Sequence, residues 1–354
     1  MRTTASGGSA QISATESLDE NTSAIEAEVA AIYGATAGAT FGGLWRTHID
    51  HLLDYAAAIR SGDQAARSQA LAGLSEHGNA LTTFLTAANS EIEPQALAEA
   101  LHLHNEQLGA ILEQDPATAF ATEREAYARM FDVGNLLAAA FIDQFPERFD
   151  REESALSPGV ALWLTLGRLL GEHLILAAEG MRSSESDAEL AAARAAVDAN
   201  TAEVAAAFES VYGLEAGASF GRLWDAHVQA YFAYIESVRS GDQSEQQTRR
   251  DELTRYSAEF GAFMASANPY LDADDVAMMI SHHTQALVYQ VDAYHAGDYA
   301  RAYAEMRQAR MRLAALDARG LGGEPVDARP VQGRWIFVAI TCSEGTVRVG
   351  SAEF

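Results

Sequence analysis

The sequence predicts an all-α protein of two tandem helical-bundle modules, each built from repeated helical hairpins, with a short β-like C-terminal tail. Three observations predict it. Apolar residues recur at the spacing of one helix face through most of the 354 residues. The chain matches itself without gaps at an offset of 179 residues, and a shorter period of 54 to 56 residues runs inside the longer one.

The long repeat is dense. Asn21 meets Asn200, Tyr33-Gly34 meets Tyr212-Gly213, Trp45 meets Trp224, His48 meets His227, and Tyr55 meets Tyr234. Arg60-Ser61-Gly62-Asp63 likewise meets Arg239-Ser240-Gly241-Asp242, and His104 meets His283. So many coincidences at one offset identify a duplication. The short repeat centres on histidine, at His48 and His104 and again at His173, His227 and His283. Four and three residues before each stand Leu44 and Trp45, Ala100 and Leu101, Leu169 and Leu170, Leu223 and Trp224, and Met279 and Ile280. A side chain three or four residues beyond such positions shares their helix face, so each histidine points inward. Downstream, Gly62-Asp63, Gly241-Asp242 and Gly297-Asp298 supply a glycine stop, which the copies at His104 and His173 lack. One shorter helix between successive histidine-bearing helices completes a hairpin of about 55 residues, and three hairpins complete a module.

Taken in order, residues 1–18 are rich in Ser and Thr and read as a disordered lead-in. Ile25, Val29, Ile32 and Tyr33 carry a first helix that starts at Asn21 and stops at Gly34. A second runs over 38–61 and a third over 64–89. Pro94 opens a fourth, with His102 and His104 inside it, and Pro116 marks its end. A fifth spans 119–145, before Pro146. These make module 1, residues 19–146, which lacks an opening helix because the register equivalent of His173 falls before Met1. Residues 147–157, polar and bounded by prolines, form a linker. Module 2, residues 158–321, has six helices. The tail, 322–354, contains a β-branched and aromatic run at 335–341 followed by a turn and Thr346-Val347-Arg348-Val349, a hairpin that must dock on the bundle or on a partner.

Composition narrows the function. A formal charge of −26, from 24 basic and 50 acidic residues, repels phosphate, so nucleic acid and anionic membranes are excluded as partners while metal cations remain allowed. All 24 bases are arginine. The single cysteine, Cys342, removes intramolecular disulfides, cysteine-based zinc sites and iron–sulfur clusters. No apolar run reaches the roughly 18 residues of a transmembrane segment. The first residues lack the apolar stretch of a signal peptide. The chain is therefore cytoplasmic, or belongs outside the cell or in its envelope after removal of a leader.

The five register-equivalent histidines carry the functional expectation. Neutral imidazoles on facing helices hold Zn²⁺, Cu²⁺ or Fe, and equivalent positions on adjacent hairpins converge on one axis. His173, His227 and His283 would form a three-nitrogen site, with His48 and His104 an incomplete counterpart. The alternative is that each is a core residue bonded to a backbone carbonyl or to a polar group on the shorter helix. Asn21, His77, Asn200 and Tyr256 share one repeat position there and would serve as such partners. His51, His102 and His282 lie beside the register positions, and His295 falls in a turn. Trp45 and Trp224 read as core anchors, and Met278 and Met279 as packing. No nucleophile motif, phosphate loop or dinucleotide fingerprint is present. Nor does a Glu stand three before any register histidine, as di-iron bundles require.

The phrases Leu-Leu-Gly-Glu-His at 169–173, Leu-Trp-Asp-Ala-His at 223–227 and Asp-Ala-Tyr-His-Ala-Gly-Asp-Tyr at 292–299 resemble helical-repeat proteins of Gram-positive bacteria, often exported and sometimes labelled copper-amine-oxidase-like. The resemblance covers both modules and implies tandem helical bundles. No cofactor-forming motif for oxidase chemistry accompanies it. The expectation is a non-enzymatic binding protein holding a transition metal through inward histidines. The alternative is a structural or protein-interaction module of the cell envelope, its histidines confined to the core and its tail serving a protein partner or self-association.

Overall fold

The computed structural model describes residues 8–146 and 158–318, and every regular element among them is helical. Eleven helices fall into two compact units. Unit 1 holds α1 (Ser9–Tyr33), α2 (Ala35–Ser61), α3 (Gln64–Ala88), α4 (Pro94–Ile111) and α5 (Pro116–Gln144). Unit 2 holds α6 (Pro158–Arg182), α7 (Asp187–Tyr212), α8 (Leu214–Ser240), α9 (Gln243–Ala267), α10 (Ala273–His295) and α11 (Tyr299–Ala318). No helix among the described residues is long and apolar enough to cross a membrane.

Unit 2 is a closed ring of three hairpins. Each helix packs on its neighbours in sequence, α11 returns to α6, and α6, α8 and α10 also touch one another inside the ring. Two chain reversals separate successive inner helices, so all three run parallel. Their inward residues follow a four-three spacing: Leu166, Leu170, His173 and Ala177 on α6; Phe220, Trp224, His227, Tyr231 and Tyr234 on α8; Val276, Ile280, His283, Leu287 and Gln290 on α10. That is the a/d stripe of knobs-into-holes packing, and histidine is the third of these positions on every inner helix. Unit 1 repeats the pattern on α2, through Phe41, Trp45, His48, Leu52 and Tyr55, and on α4, through Leu97, Leu101, His104, Leu108 and Ile111. Met130, Val133, Leu137 and Phe141 of α5 join α1, α2, α3 and α4 in one core.

The repeated Gly-Asp ends one helix and begins the next. Gly62 and Gly241 take left-handed φ of 71° and 74°, which a Cβ disfavours, and close the backbone of α2 and α8. Asp63 then accepts from the amides of Ala65 and Ala66, and Asp242 from that of Glu245, satisfying the free donors of α3 and α9. At the other joint, α1 reaches α2 through Gly34 alone and α7 reaches α8 through Gly213 alone, both at positive φ. The reversal is so tight that a Cβ on Gly38 would lie 2.6 Å from Ala30 Cβ, and one on Gly217 2.4 Å from Glu209 Cβ.

Several expectations need correction. The lead-in is shorter than residues 1–18, because α1 begins at Ser9 and buries Ala10 and Ala14 on the face that continues through Asn21, Ile25 and Val29. Alanine is too small to register as an apolar stripe, yet it fits a close helix contact. Pro116 opens α5 and does not end α4, which stops at Ile111. Lacking an N–H, proline suits the first turn, and Asp115 caps the next two amides. The intervening helices are not uniformly the shorter ones: α3 and α7, with 25 and 26 residues, are shorter than α2 and α8, with 27 each, but longer than α4 with 18 and α6 with 25. His295 is the last residue of α10. Residues 1–7, the linker at 147–157 and the tail at 322–354 lie outside the described residues.

Candidate metal centre

Because His173, His227 and His283 take the same place on three parallel helices, ring closure brings them to one level. Each offers a nitrogen, and the three donor atoms lie within 4.8 Å of one another. His173 Nε2 and His227 Nε2 stand 3.4 Å apart. The rings of His173 and His283 have centroids 6.2 Å apart. No more than 2% of any of the three is exposed.

The walls are aromatic and apolar. Trp224, one turn before His227, sets its indole edge-on to His227 at 4.8 Å and to His173 at 5.1 Å. Tyr256 of α9 stacks on His227 with centroids 4.6 Å apart and planes 20° from parallel. Tyr256 also lines a surface groove of about 490 Å³ between α7, α8 and α9, whose rim carries Arg194, Glu236, Arg249 and Glu252. Tyr256 therefore lies between His227 and the groove.

Electrostatics keep His173 and His227 neutral. Burial holds His173 down to about 3, with His283 adding to the effect. His227 lies well below the usual 6.5, first through burial and then through His173 and His283; a backbone contact with Trp224, too loose to count as a hydrogen bond, opposes this weakly. Neutral imidazole is the form that donates a lone pair to a metal. No described protein group hydrogen-bonds the Nδ1 atoms of His173 and His227.

Asn200 does not serve His173. Its amide donates to the Leu169 carbonyl at 2.9 Å and to Glu172 Oε2 at 2.8 Å, fixing a buried carboxylate that faces α7 with Arg168 Nη1 3.8 Å away. Sequence reasoning missed Glu172, since a buried acid beside a core histidine has no periodic signature. The core-histidine alternative offered His77 and Tyr256 as hydrogen-bond partners, whereas both meet their histidines ring to ring.

In unit 1 the structure brings His48 and His104 to one level with centroids 6.4 Å apart, and places His77 closer to His48, at 4.8 Å. Among the described residues, only the unit 2 trio has three donor atoms within 4.8 Å of one another. His102 sits on the surface 3.3 Å from Glu106 and joins neither cluster.

No family model matches the chain, and no curated protein or solved structure matches it.

Proposed function

We propose that this chain is a non-enzymatic metal-binding protein whose second unit holds one transition-metal ion, of the Zn²⁺ or copper class, on His173, His227 and His283. The observation that carries the reading is the 3.4 Å between His173 Nε2 and His227 Nε2. Two nitrogens at the usual Zn–N length of about 2.0–2.1 Å on a tetrahedral ion stand about 3.3 Å apart. The third donor, within 4.8 Å of the others, completes the set after a shift of no more than about 1.5 Å, which a side-chain rotation supplies. The depressed affinities for protons keep the ligands available at neutral pH.

Burial argues for holding over catalysis. A catalytic ion keeps an open position that substrate can reach, and here Trp224 and Tyr256 cover the trio. The same 3.4 Å also favours a second reading, a structural or interaction module in which one imidazole N–H donates to the other ring across the bundle core. Thermal unfolding of metal-free protein with and without added Zn²⁺ separates the two. Binding raises the melting temperature in proportion to the logarithm of free metal, whereas an unchanged melting temperature leaves only the core reading.

A further inference from the structure

In unit 1 the repeat position that carries Tyr256 in unit 2 is occupied by His77. Tyr256 packs on His227 at 4.6 Å, and His77 packs on the equivalent His48 at 4.8 Å, so the two rings fill the same place. Unit 2 draws its imidazoles from three inner helices, whereas the described part of unit 1 has two, α2 and α4. His77 thus brings a third imidazole, from α3, to the level where the third inner helix contributes one in unit 2. His48 neighbours both of the others, 4.8 Å from His77 and 6.4 Å from His104 by ring centroid. A fourth imidazole borders the group: His51 lies so flat on Gly73, one turn before His77, that a Cβ there would come within 2.4 Å of its ring.

We propose that unit 1 holds a second ion of the same transition-metal class on His48, His77 and His104. The chemistry of the three positions supports it. His48 and His77 are each 6% exposed, and no described protein group hydrogen-bonds the Nδ1 atoms of the three rings, although the Leu44 backbone lies beside the His77 ring. Two buried imidazoles, His48 and His77, and the partly buried His104, with His77 and His104 each within about 6.4 Å of His48 by ring centroid, present lone pairs to a soft or borderline cation. Their donor atoms stand farther apart than those of unit 2, so a ring must turn on binding, and the site is the weaker of the two. It does not depend on unit 2 binding metal.

Titration of the full, metal-free chain with Co²⁺, followed by its visible absorption and by calorimetry, tests this. His77→Tyr, which installs the residue unit 2 uses at that position, is expected to fold and to lose the weaker of two binding events. His227→Gln is expected to lose the tighter one, with circular dichroism confirming the helices in both variants. If wild type binds about one equivalent and His77→Tyr leaves it intact, the second site is overturned while the unit 2 site stands. If His227→Gln changes nothing and His77→Tyr abolishes all binding, the second site stands and the unit 2 reading falls. If wild type binds no Co²⁺, both fall.

Discussion

His173 on α6 and His227 on α8, fifty-four residues apart in sequence, meet Nε2 to Nε2 at 3.4 Å with at most 2% of either exposed. Two nitrogens this close cannot both carry a proton toward each other, so one must be a bare lone pair. A core built only for stability has little use for such a pair, because a buried imidazole without full hydrogen bonding costs free energy that leucine would not.

That cost can be measured. Replacing both rings in His173→Leu/His227→Leu is expected to leave metal-free stability unchanged or raise it by about 1–3 kcal/mol, read by urea unfolding, while removing the metal-dependent shift. A large destabilisation would show that the rings are structural.

Acid should weaken the metal-free protein through these same residues. His173 is held down to about 3, and His77 and His104 to about 4, each mainly by burial, against 6.5 for the free side chain. Between those values and 6.5 the unfolded chain binds protons that the folded chain refuses. The contribution of each ring is therefore fully present above pH 6.5 and is lost as pH falls, by up to about 1.4 kcal/mol per pH unit per ring. Relief of the −26 charge by carboxylate protonation acts in the opposite direction near pH 4. The comparison is thus with His173→Leu/His227→Leu, whose stability should vary less between pH 6.5 and 4.5. Identical pH profiles would refute the assignment.

Tyr256 lies between His227 and the groove between α7, α8 and α9, so it should control how fast metal enters. Tyr256→Ala is expected to speed Zn²⁺ loading in stopped flow and to cost about 3–5 kcal/mol, as truncation of a large buried aromatic does. Tyr256→Phe keeps the ring and should change neither. Equal loading rates in wild type and Tyr256→Ala would place the route elsewhere.

The one-residue joints make a prediction about the fold alone. Gly217→Ala puts a Cβ 2.4 Å from Glu209 Cβ and 2.9 Å from its Cα, so α7 and α8 must separate; about 1–3 kcal/mol is the expected loss by denaturant unfolding. Gly43→Ala, with open space at that position, should stabilise slightly or do nothing.

The sequence carried the hairpins because their signals are local: Trp45 and His48 repeat as Trp224 and His227, and Gly-Asp both ends and starts helices. Register equivalence also foretold the meeting of His173, His227 and His283, since parallel inner helices put equal positions at equal heights. Two features were hidden. The first turns of α1 are built on Ala10 and Ala14, whose packing depends on a close neighbour and leaves no apolar stripe. His77 looked like a polar partner because its role depends on an imidazole already standing across from it, a relation between helices that spacing along one helix does not encode.

The most direct test of metal binding is elemental analysis of the full chain, produced without a histidine tag and dialysed against metal-free buffer. Between about one and two equivalents of zinc or copper per chain are expected, falling by about one in His227→Gln. Less than about 0.1 equivalent of any transition metal, together with no rise in melting temperature on adding Zn²⁺ or Cu²⁺, would contradict it.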